Sequence, residues 1–349
     1  MRNGPSDAQL ASAVSWRPKV SSQLAGVTLA ESLPVLSGRV VWDAGNKVPD
    51  RVTMKVARFS GGKDFLPTGP DAPLARYGQQ LDVTVEVAGV DVRLGRFQID
   101  GWDYDEETVS VTGHGLLQIA ADSRLLETMS PRTDGTLVSE FVRMLPPVMS
   151  AQFATGLVNR AVPSSMVWKE ERLENLWAIA DAWPAVLRAD PWGQVLVKAP
   201  VTVSPSPALS VTDGVGGTVV SVPRSDERAG SYNIVVARSS ADGNDSFAVA
   251  QVTSGAMNVA VYNPVPKFYA SPMLETVEQC QATANAMRDE ATRKSSVLKV
   301  TMAPDPRPEL DDTIGVTRDG VLELGVVVAV DMPLTINDGP MRVDVGVMG

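Results

Sequence analysis

One histidine and one cysteine in 349 residues restrict the chemistry this chain can do. His114 stands between Gly113 and Gly115 at the end of a strand-like stretch, with no second histidine to complete a zinc site. Cys280 has no redox or nucleophile motif around it; only an interchain disulfide could use it, and a small buried residue is the expected role. No serine lies in a G-x-S-x-G elbow. Gly214-Val215-Gly216-Gly217 lacks the lysine and the following helix of a phosphate loop. Asp242-Gly243-Asn244-Asp245 opens like a calcium loop but has no glutamate at its far end, and it reads as a solvated hairpin tip. Asp103, Asp105, Glu106 and Glu107 crowd carboxylates into one turn; the sequence alone leaves a glycosidase-type acid pair open, although most such runs are simply exposed. The expectation is a protein that is not an enzyme, with no catalytic, cofactor-binding or metal-binding residues and no cofactor.

Bulk properties point the same way. A net charge of −10 disfavours a grip on nucleic acid driven by counterion release, while allowing DNA to slide past without sticking. No run of about 18 apolar residues occurs, so no membrane insertion is expected. The start, Met1-Arg2-Asn3-Gly4-Pro5-Ser6, lacks the apolar core of a signal peptide, and a soluble product kept in the cytoplasm where it is made is expected. With 44% hydrophobic and 21% charged residues, the chain has room for two or three domains, each with its own core.

The positioning elements are mostly strands, and they repeat. Gly38-Arg39-Val40-Val41 followed by Lys55 to Ser60 returns as Gly217-Thr218-Val219-Val220 followed by Val235 to Ser240. Leu81 to Val85 with Leu94 to Asp100 returns as Leu310 to Ile314 with Leu324 to Asp331. Between the copies the period becomes helical: Leu137, Phe141, Met144 and Leu145 share one face, and Leu173, Leu176, Trp177, Ala180 and Trp183 another. A hairpin then turns at Asp190-Pro191-Trp192-Gly193, and Thr202 to Gly217 reads as a linker. In the second copy an extended segment with Lys267-Phe268-Tyr269 leads to a helix capped by Thr276 and Gln279, with Val277, Cys280, Ala284, Met287 and Ala291 as its docking stripe. The Gly61 to Pro73 loop carries Phe65 and Leu66 as apolar residues, to dock on a partner or fold back as a lid.

Three groups of residues carry a likeness beyond these patterns. They are Asp64 to Thr68 with Pro73 to Leu81 ahead of Gly95 to Asp100; Ser231 to Arg238; and Phe268 to Pro272 with its helix, then Pro306, Pro308, Pro333-Leu334-Thr335 and Gly339 to Val343. In order and spacing these resemble the tail-hub, or minor tail protein, family of tailed bacteriophages, related in fold to the baseplate central hub of contractile-tailed phages. The resemblance covers the chain from about Leu24 onward and implies a mainly β fold with an α+β insertion. The implied domains are an N-terminal arm at 1–23, a first tube-type β-barrel at 24–114, an α+β domain at 115–201, and a second tube-type β-barrel at 202–349. The last carries an inserted extended segment and helix at about 262–296.

The implied function is a structural virion protein of the tail tip: a homotrimeric hub ring joining the six-fold tail tube to three-fold tip components and lining the DNA channel. Implied partners are a distal tail protein or tail tube ring, other tail-tip proteins and the tape measure protein. DNA passes the channel without specific binding, and the implied location is the virion tail tip, after assembly in the host cytoplasm. Since the sequence stops at Gly349, hydrolase and receptor-binding regions are expected in other proteins. The alternative is a tail-tip carbohydrate-binding module stacking sugars on Trp102, Tyr104, Trp192 and the Phe65 loop.

Overall fold

The computed structural model describes residues 1–12, 15–226 and 231–347. Ala13 and Val14 of the expected arm, and Met348 and Gly349 of the expected second barrel, lie outside the described residues.

Helix α1 (Asp7–Ala11) is capped by Ser6 and Gln9. Strands β1 (Trp16–Leu24), β2 (Val27–Ala30), β3 (Val35–Asp43) and β4 (Asp50–Ala57) follow, then a two-residue hairpin of β5 (Phe59–Ser60) and β6 (Lys63–Asp64). Next come β7 (Gln80–Val87), β8 (Val90–Tyr104) and β9 (Thr108–Gly115). These strands alternate buried and solvated residues, as in β4, where Val52, Met54 and Val56 point inward and Arg51 and Lys55 outward.

The middle region holds α2 (Leu117–Asp122), α3 (Leu137–Met144), β10 (Ala151–Phe153), α4 (Arg172–Ala182), β11 (Val186–Ala189) and β12 (Val195–Lys198). The helix faces anticipated from spacing are buried at Leu137, Phe141, Met144, Leu173, Leu176 and Ala180. The hairpin at Asp190 pairs β11 with β12, and β10 adds in parallel.

The remainder contains β13 (Leu209–Thr212), β14 (Val219–Ser221), β15 (Arg224–Asp226), β16 (Ile234–Ser239), β17 (Phe247–Gln251), α5 (Val259–Tyr262), β18 (Pro266–Ser271), α6 (Val277–Ser295), β19 (Ser296–Met302), β20 (Thr313–Arg318), β21 (Val321–Pro333) and β22 (Met341–Val347). The fold is mainly β, with few helices. Fourteen strands form one sheet, whose main path runs β14-β19-β22-β21-β3-β4-β9-β8-β7-β1-β2.

That path contains one order twice. Strands β3-β4-β9-β8-β7 and β14-β19-β22-β21-β20 visit their members in the same sequence. Register breaks match as well: Val35/Ser37 opposite β4 corresponds to Val219/Ser221 opposite β19, and Ile99/Gly101 opposite β9 to Val327/Ala329 opposite β22. Bulges are local features of a strand pair, so two of them in agreement fix the correspondence residue by residue. Val35 matches Val219, and Ile99 matches Val327.

Four expectations from the sequence change accordingly. The Val235 to Ser240 stretch is not the counterpart of Lys55 to Ser60; it is β16, in a separate three-stranded sheet β17-β16-β18, and the true counterpart of β4 is β19. Its β-branched run resembled β4 because both are buried on one side, which says nothing of which sheet a strand joins. The insertion in the second copy therefore includes β16 and β17 and lies between β15 and β19, rather than beginning near 262. Within the expected linker, Leu209–Thr212 is a strand paired in parallel with β20. Within the expected arm, Trp16–Leu24 pairs with β7 along most of its length.

Two apolar cores result. One lies under the large sheet and is shared by both strand sets, with Val40, Phe97, Val330 and Met332 all nearly inaccessible. The other joins the middle region to the insertion, bringing Leu176, Trp168, Val235 and Ala237 together with Cys280 and Ala284 of α6. Cys280 is a free, buried thiol. Val277 is 53% exposed and does not belong to the docking stripe of α6.

Candidate functional site

The feature with the most organised chemistry is the junction of the two strand sets. β21 is long enough to serve two neighbours along one edge: its Val321–Val326 portion pairs with β20, and Ala329–Pro333 pairs with β3. Val40 and Trp42 of β3 and Val330 and Met332 of β21 point into the shared core. On the opposite side Arg39 ion-pairs with Asp331 and donates to the carbonyls of Asp338 (2.6 Å) and Pro340 (3.0 Å). Gly38 is required here by close approach, since a Cβ would lie 2.6 Å from the Thr53 carbonyl and 2.9 Å from Leu334.

A polar node fastens the middle region to the same junction. The Arg188 guanidinium makes a two-pronged contact with Asp311 (2.9 and 2.8 Å), and Lys198 adds a third bond at 3.2 Å. Burial alone raises the Asp311 pKa, but Arg188 and Lys198 outweigh it and hold the carboxyl below its ordinary value. Nearby Asp50, on the first strand set, is buried; desolvation pushes it up to about 6, against the pull of Arg188 and Arg2. Arg2 stacks over Trp42 at 4.3 Å and donates to the Pro308 carbonyl at 2.8 Å, while Arg307 pairs with Asp7 and Asp305. The N-terminal segment thus clasps the second strand set onto the first. A second raised carboxyl, Asp181 on α4, is moved to about 6 by burial and by Glu290 of α6, with Lys267 and Lys47 opposing. It lines a cavity of about 490 Å³ between α4, α6 and the Ala44–Lys47 turn.

Because the strand order repeats, the junction has a counterpart. Ala329 to Met332 correspond to Gly101 to Tyr104 of β8, and Val40 to Trp42 correspond to β15. Within the chain neither counterpart has a partner strand on that edge among the described residues. Trp102 is half-buried and Tyr104 is 53% exposed, whereas their equivalents Val330 and Met332 are buried.

Comparison with solved structures gives this arrangement a context. The chain is similar to a tail protein from Neisseria meningitidis MC58 (TM-score 0.67, 12% identity, covering 94% of this chain and 96% of that one). It is also similar to the 43 kDa tail protein of prophage MuSo2 from Shewanella oneidensis (TM-score 0.63, 13% identity, 94% and 98% covered). The fold is that of phage tail proteins. A component of the E. coli type VI secretion system, itself described as structurally similar to the T4 bacteriophage tail proteins gp27 and gp5, shares the phage-tail fold at TM-score 0.56 and 9% identity, with 94% of this chain and 77% of that one covered. No family model and no curated protein matches the sequence.

The remaining sequence candidates are scattered across this phage-tail fold. His114 contacts Asp100 on the solvent side of the sheet. The Asp103 to Glu107 carboxylates sit at the β8–β9 turn, where Asp105 accepts from the Glu107 and Thr108 amides at 2.9 and 2.6 Å. Asp242 to Asp245 form the β16–β17 hairpin tip. Among the described residues no cluster of three or more His, Cys, Asp or Glu side chains is placed to hold a metal ion, and no helix is long and apolar enough to cross a membrane. The proposed sugar platform is not assembled. Phe65 is buried in the first core, so its loop is a lid, and Trp192 sits by Arg93 at one end of β8 while Trp102 and Tyr104 occupy the other, about 30 Å away at strand rise. The junction itself was missed from sequence because β3 and β21 lie almost 300 residues apart; the one readable sign was the length of the strand-like stretch Val321 to Pro333, which has no cluster of turn residues to divide it.

Proposed function

We propose that this chain is a structural protein of a phage tail tip, a homotrimeric hub ring that joins a six-fold tail tube to three-fold tip components and surrounds the DNA channel. The observation that carries this reading is the repeated strand order with one internal junction, β21 to β3, and one equivalent, β8 to β15, that is not paired among the described residues. A vacant counterpart of a filled junction is complementary to another copy, head to tail, and such a contact closes when the rotation per copy divides the circle. Two similar strand sets per chain turn three copies into six near-equivalent positions, matching a six-fold tube.

In this reading the units are two tube-type barrels, at 24–114 and 202–349, with an α+β domain at 115–201 and a clasp drawn from 1–23; β1 adds residues 16–23 to the first barrel. The solvent face of the sheet across the junction suits a channel wall. Thr53, Lys55, Thr112 and Asp43 from one set and Lys299, Arg342, Asp331 and Asp344 from the other give it hydrated groups of balanced charge. DNA passes such a wall without a counterion-release grip. Partners are the tail tube ring or a distal tail protein on one side, and other tip proteins and the tape measure protein on the other. No catalytic residue is proposed.

Asp331 and Val41 oppose each other in a non-hydrogen-bonded pair, so their counterparts Asp103 and Ser225 should approach across copies within disulfide reach. The test uses the double variant Asp103→Cys, Ser225→Cys in assembled tails under oxidation. The expected product is a cross-linked ladder ending at three chains. A ladder ending at another number, or no cross-link in intact tails, overturns the ring.

A further inference from the structure

The three-stranded sheet of the insertion has one covered face and one bare face. Val235, Ala237, Ala248 and Ala250 face α6 and are buried against it. The opposite face carries Val236 with Phe247 (60% exposed), Val249 (44%) and Phe268 (66%). Strand register sets Val249, Val236 and Phe268 in one row across the sheet.

Backbone hydrogen bonds add a second, independent observation. Ser239 donates to the Ser246 carbonyl at 2.8 Å and Val252 to the Asn233 carbonyl at 2.9 Å, which fixes the phase of the β16–β17 ladder. By the alternation of an antiparallel pair, Ala248 and Ala250 bond to β16, whereas Phe247, Val249 and Gln251 turn both N–H and C=O toward the free edge. Among the described residues only one of these groups has a partner: the Val249 carbonyl accepts from the Gln281 side chain at 3.4 Å. The stretch Phe247–Gln251 contains no proline and no charge, the usual means of protecting an edge. The opposite edge, β18, is blunted by Pro266, which has no N–H to offer.

We propose that β17 is a docking edge for an extended segment of a different polypeptide, which adds as a fourth strand and lays alternate apolar side chains beside Phe247 and Val249. Three donor–acceptor sets spaced two residues apart match an extended backbone, and the bare apolar face gives its side chains somewhere to go. Self-pairing of β17 would be isologous and two-fold. The choice of a different chain over a second copy rests on the three-fold reading above; strand addition itself does not. Five residues of edge give a contact that is weak alone and becomes firm when the two chains are also held together elsewhere.

The test uses the full chain and a fluorescent peptide, Lys-Thr-Val-Thr-Val-Thr-Val-Thr-Lys, followed by anisotropy. In an added strand, the residues bonded to Phe247, Val249 and Gln251 point to the same face as those residues, so they are the valines. Methylating the valine nitrogens should weaken binding by about tenfold or more, and methylating the threonine nitrogens should leave it nearly unchanged. Val249→Pro removes an edge N–H that β16 does not use and should give a similar loss; Val249→Lys serves if the proline disturbs the fold. Gln281→Ala, which uncovers the Val249 carbonyl, should strengthen binding. Equal binding of the two methylated peptides, wild-type binding by both Val249 variants, or no binding up to about 1 mM overturns strand addition. A concentration-dependent dimer abolished by Val249→Pro overturns the different-chain occupant. If the cross-linking ladder fails while the peptide results hold, the ring is wrong and this edge stands.

Discussion

The two strand sets share a path and differ in what happens at the edge of their fourth strand. In the second set, the end of β21 is covered by β3, which buries Trp42, Val40 and Met332. In the first set, the matching end of β8 has no partner strand among the described residues, and Tyr104 is 53% exposed, with Trp102 and the Arg58 guanidinium beside its ring. One backbone arrangement thus occurs once finished and once unfinished. In the proposed ring the Trp102–Tyr104 pair is half of a junction and not an isolated aromatic platform. The sets differ again in continuity, since β3 is one strand while its counterpart breaks at Val222-Pro223 into β14 and β15 and then opens into the insertion. Pro223 stands opposite Lys299 of β19, whose amide donates to its carbonyl at 2.8 Å, and the proline has no N–H to return, so the ladder with β19 breaks there.

The largest expected effect separates filled from vacant. Met332→Asp places a carboxylate in a closed core and should cost about 3–5 kcal/mol or prevent folding. Urea denaturation of the soluble chain measures it. A loss under about 1 kcal/mol would mean that the junction is not packed as described, and the contrast between the sets would go with it.

Next comes the node that ties the middle region to the junction. Asp311→Ala leaves Arg188 buried without its carboxylate and should cost about 3 kcal/mol. Its pH dependence has a definite sign. Asp311 is held below its ordinary pKa in the fold, so its contribution is present above the unfolded value and lost as pH falls through the folded one. Asp181 runs the other way. Its folded pKa of about 6 lies above the unfolded value of 3.8, so its contribution is complete below the unfolded value and disappears as pH rises through about 6. Asp181→Asn should therefore stabilise the chain at pH 7 by about 1–2 kcal/mol and flatten the stability profile between pH 4 and 7. Thermal melts across that range decide it, and an unchanged slope would show that Asp181 is solvated.

A smaller effect is expected at the insertion. Met287 packs against the second core from a half-buried position, unlike Cys280 and Ala284, which are fully enclosed. Met287→Asp should cost about 1–2 kcal/mol, and Ala284→Asp clearly more. Equal melting temperatures for the two variants would mean that α6 is not docked along this stripe.

How much of this was legible beforehand depends on the range of the interactions involved. Alternation in β4 and β7, and the helical spacing of Leu137 to Met144 and Leu173 to Ala180, are local and were readable directly. The duplication was expected from Leu81–Asp82 and Leu310–Asp311, but the strand register matches Leu81–Asp82 with Ile314–Gly315, so that likeness was a coincidence of composition. Glycines and short β-branched runs recur at many offsets, and only the bulges opposite β4 and β19 fix Val35 against Val219. Sheet membership was illegible for β16, because a strand buried on one side has the same pattern whichever sheet receives it. The β3–β21 junction and the Arg2 clasp depend on pairings about 300 residues apart, for which a single sequence carries no signal.

The smallest effect on stability should accompany the largest effect on assembly. Tyr104 lies on an edge with no partner strand among the described residues and is touched there by Trp102 and the Arg58 guanidinium, so Tyr104→Lys should change the unfolding free energy of the chain by no more than about 1 kcal/mol. Its counterpart Met332 is buried, and the same substitution there should cost several kcal/mol, about as much as any buried unpaired charge. In the proposed ring Tyr104 would be covered by the next copy's β15, which would bring Arg224 to the matching position. A lysine placed there meets a like charge instead of an aromatic face, and the interface loses both area and cation–π attraction. Tails produced with Tyr104→Lys as the only copy should lack an ordered tip in particle images, while the purified variant melts with the wild type. Normal tips would show that the vacant edge of β8 has no partner in the particle. A lowered melting temperature in the soluble chain would show that the edge is already filled within one copy, and the contrast between the two strand sets would then dissolve.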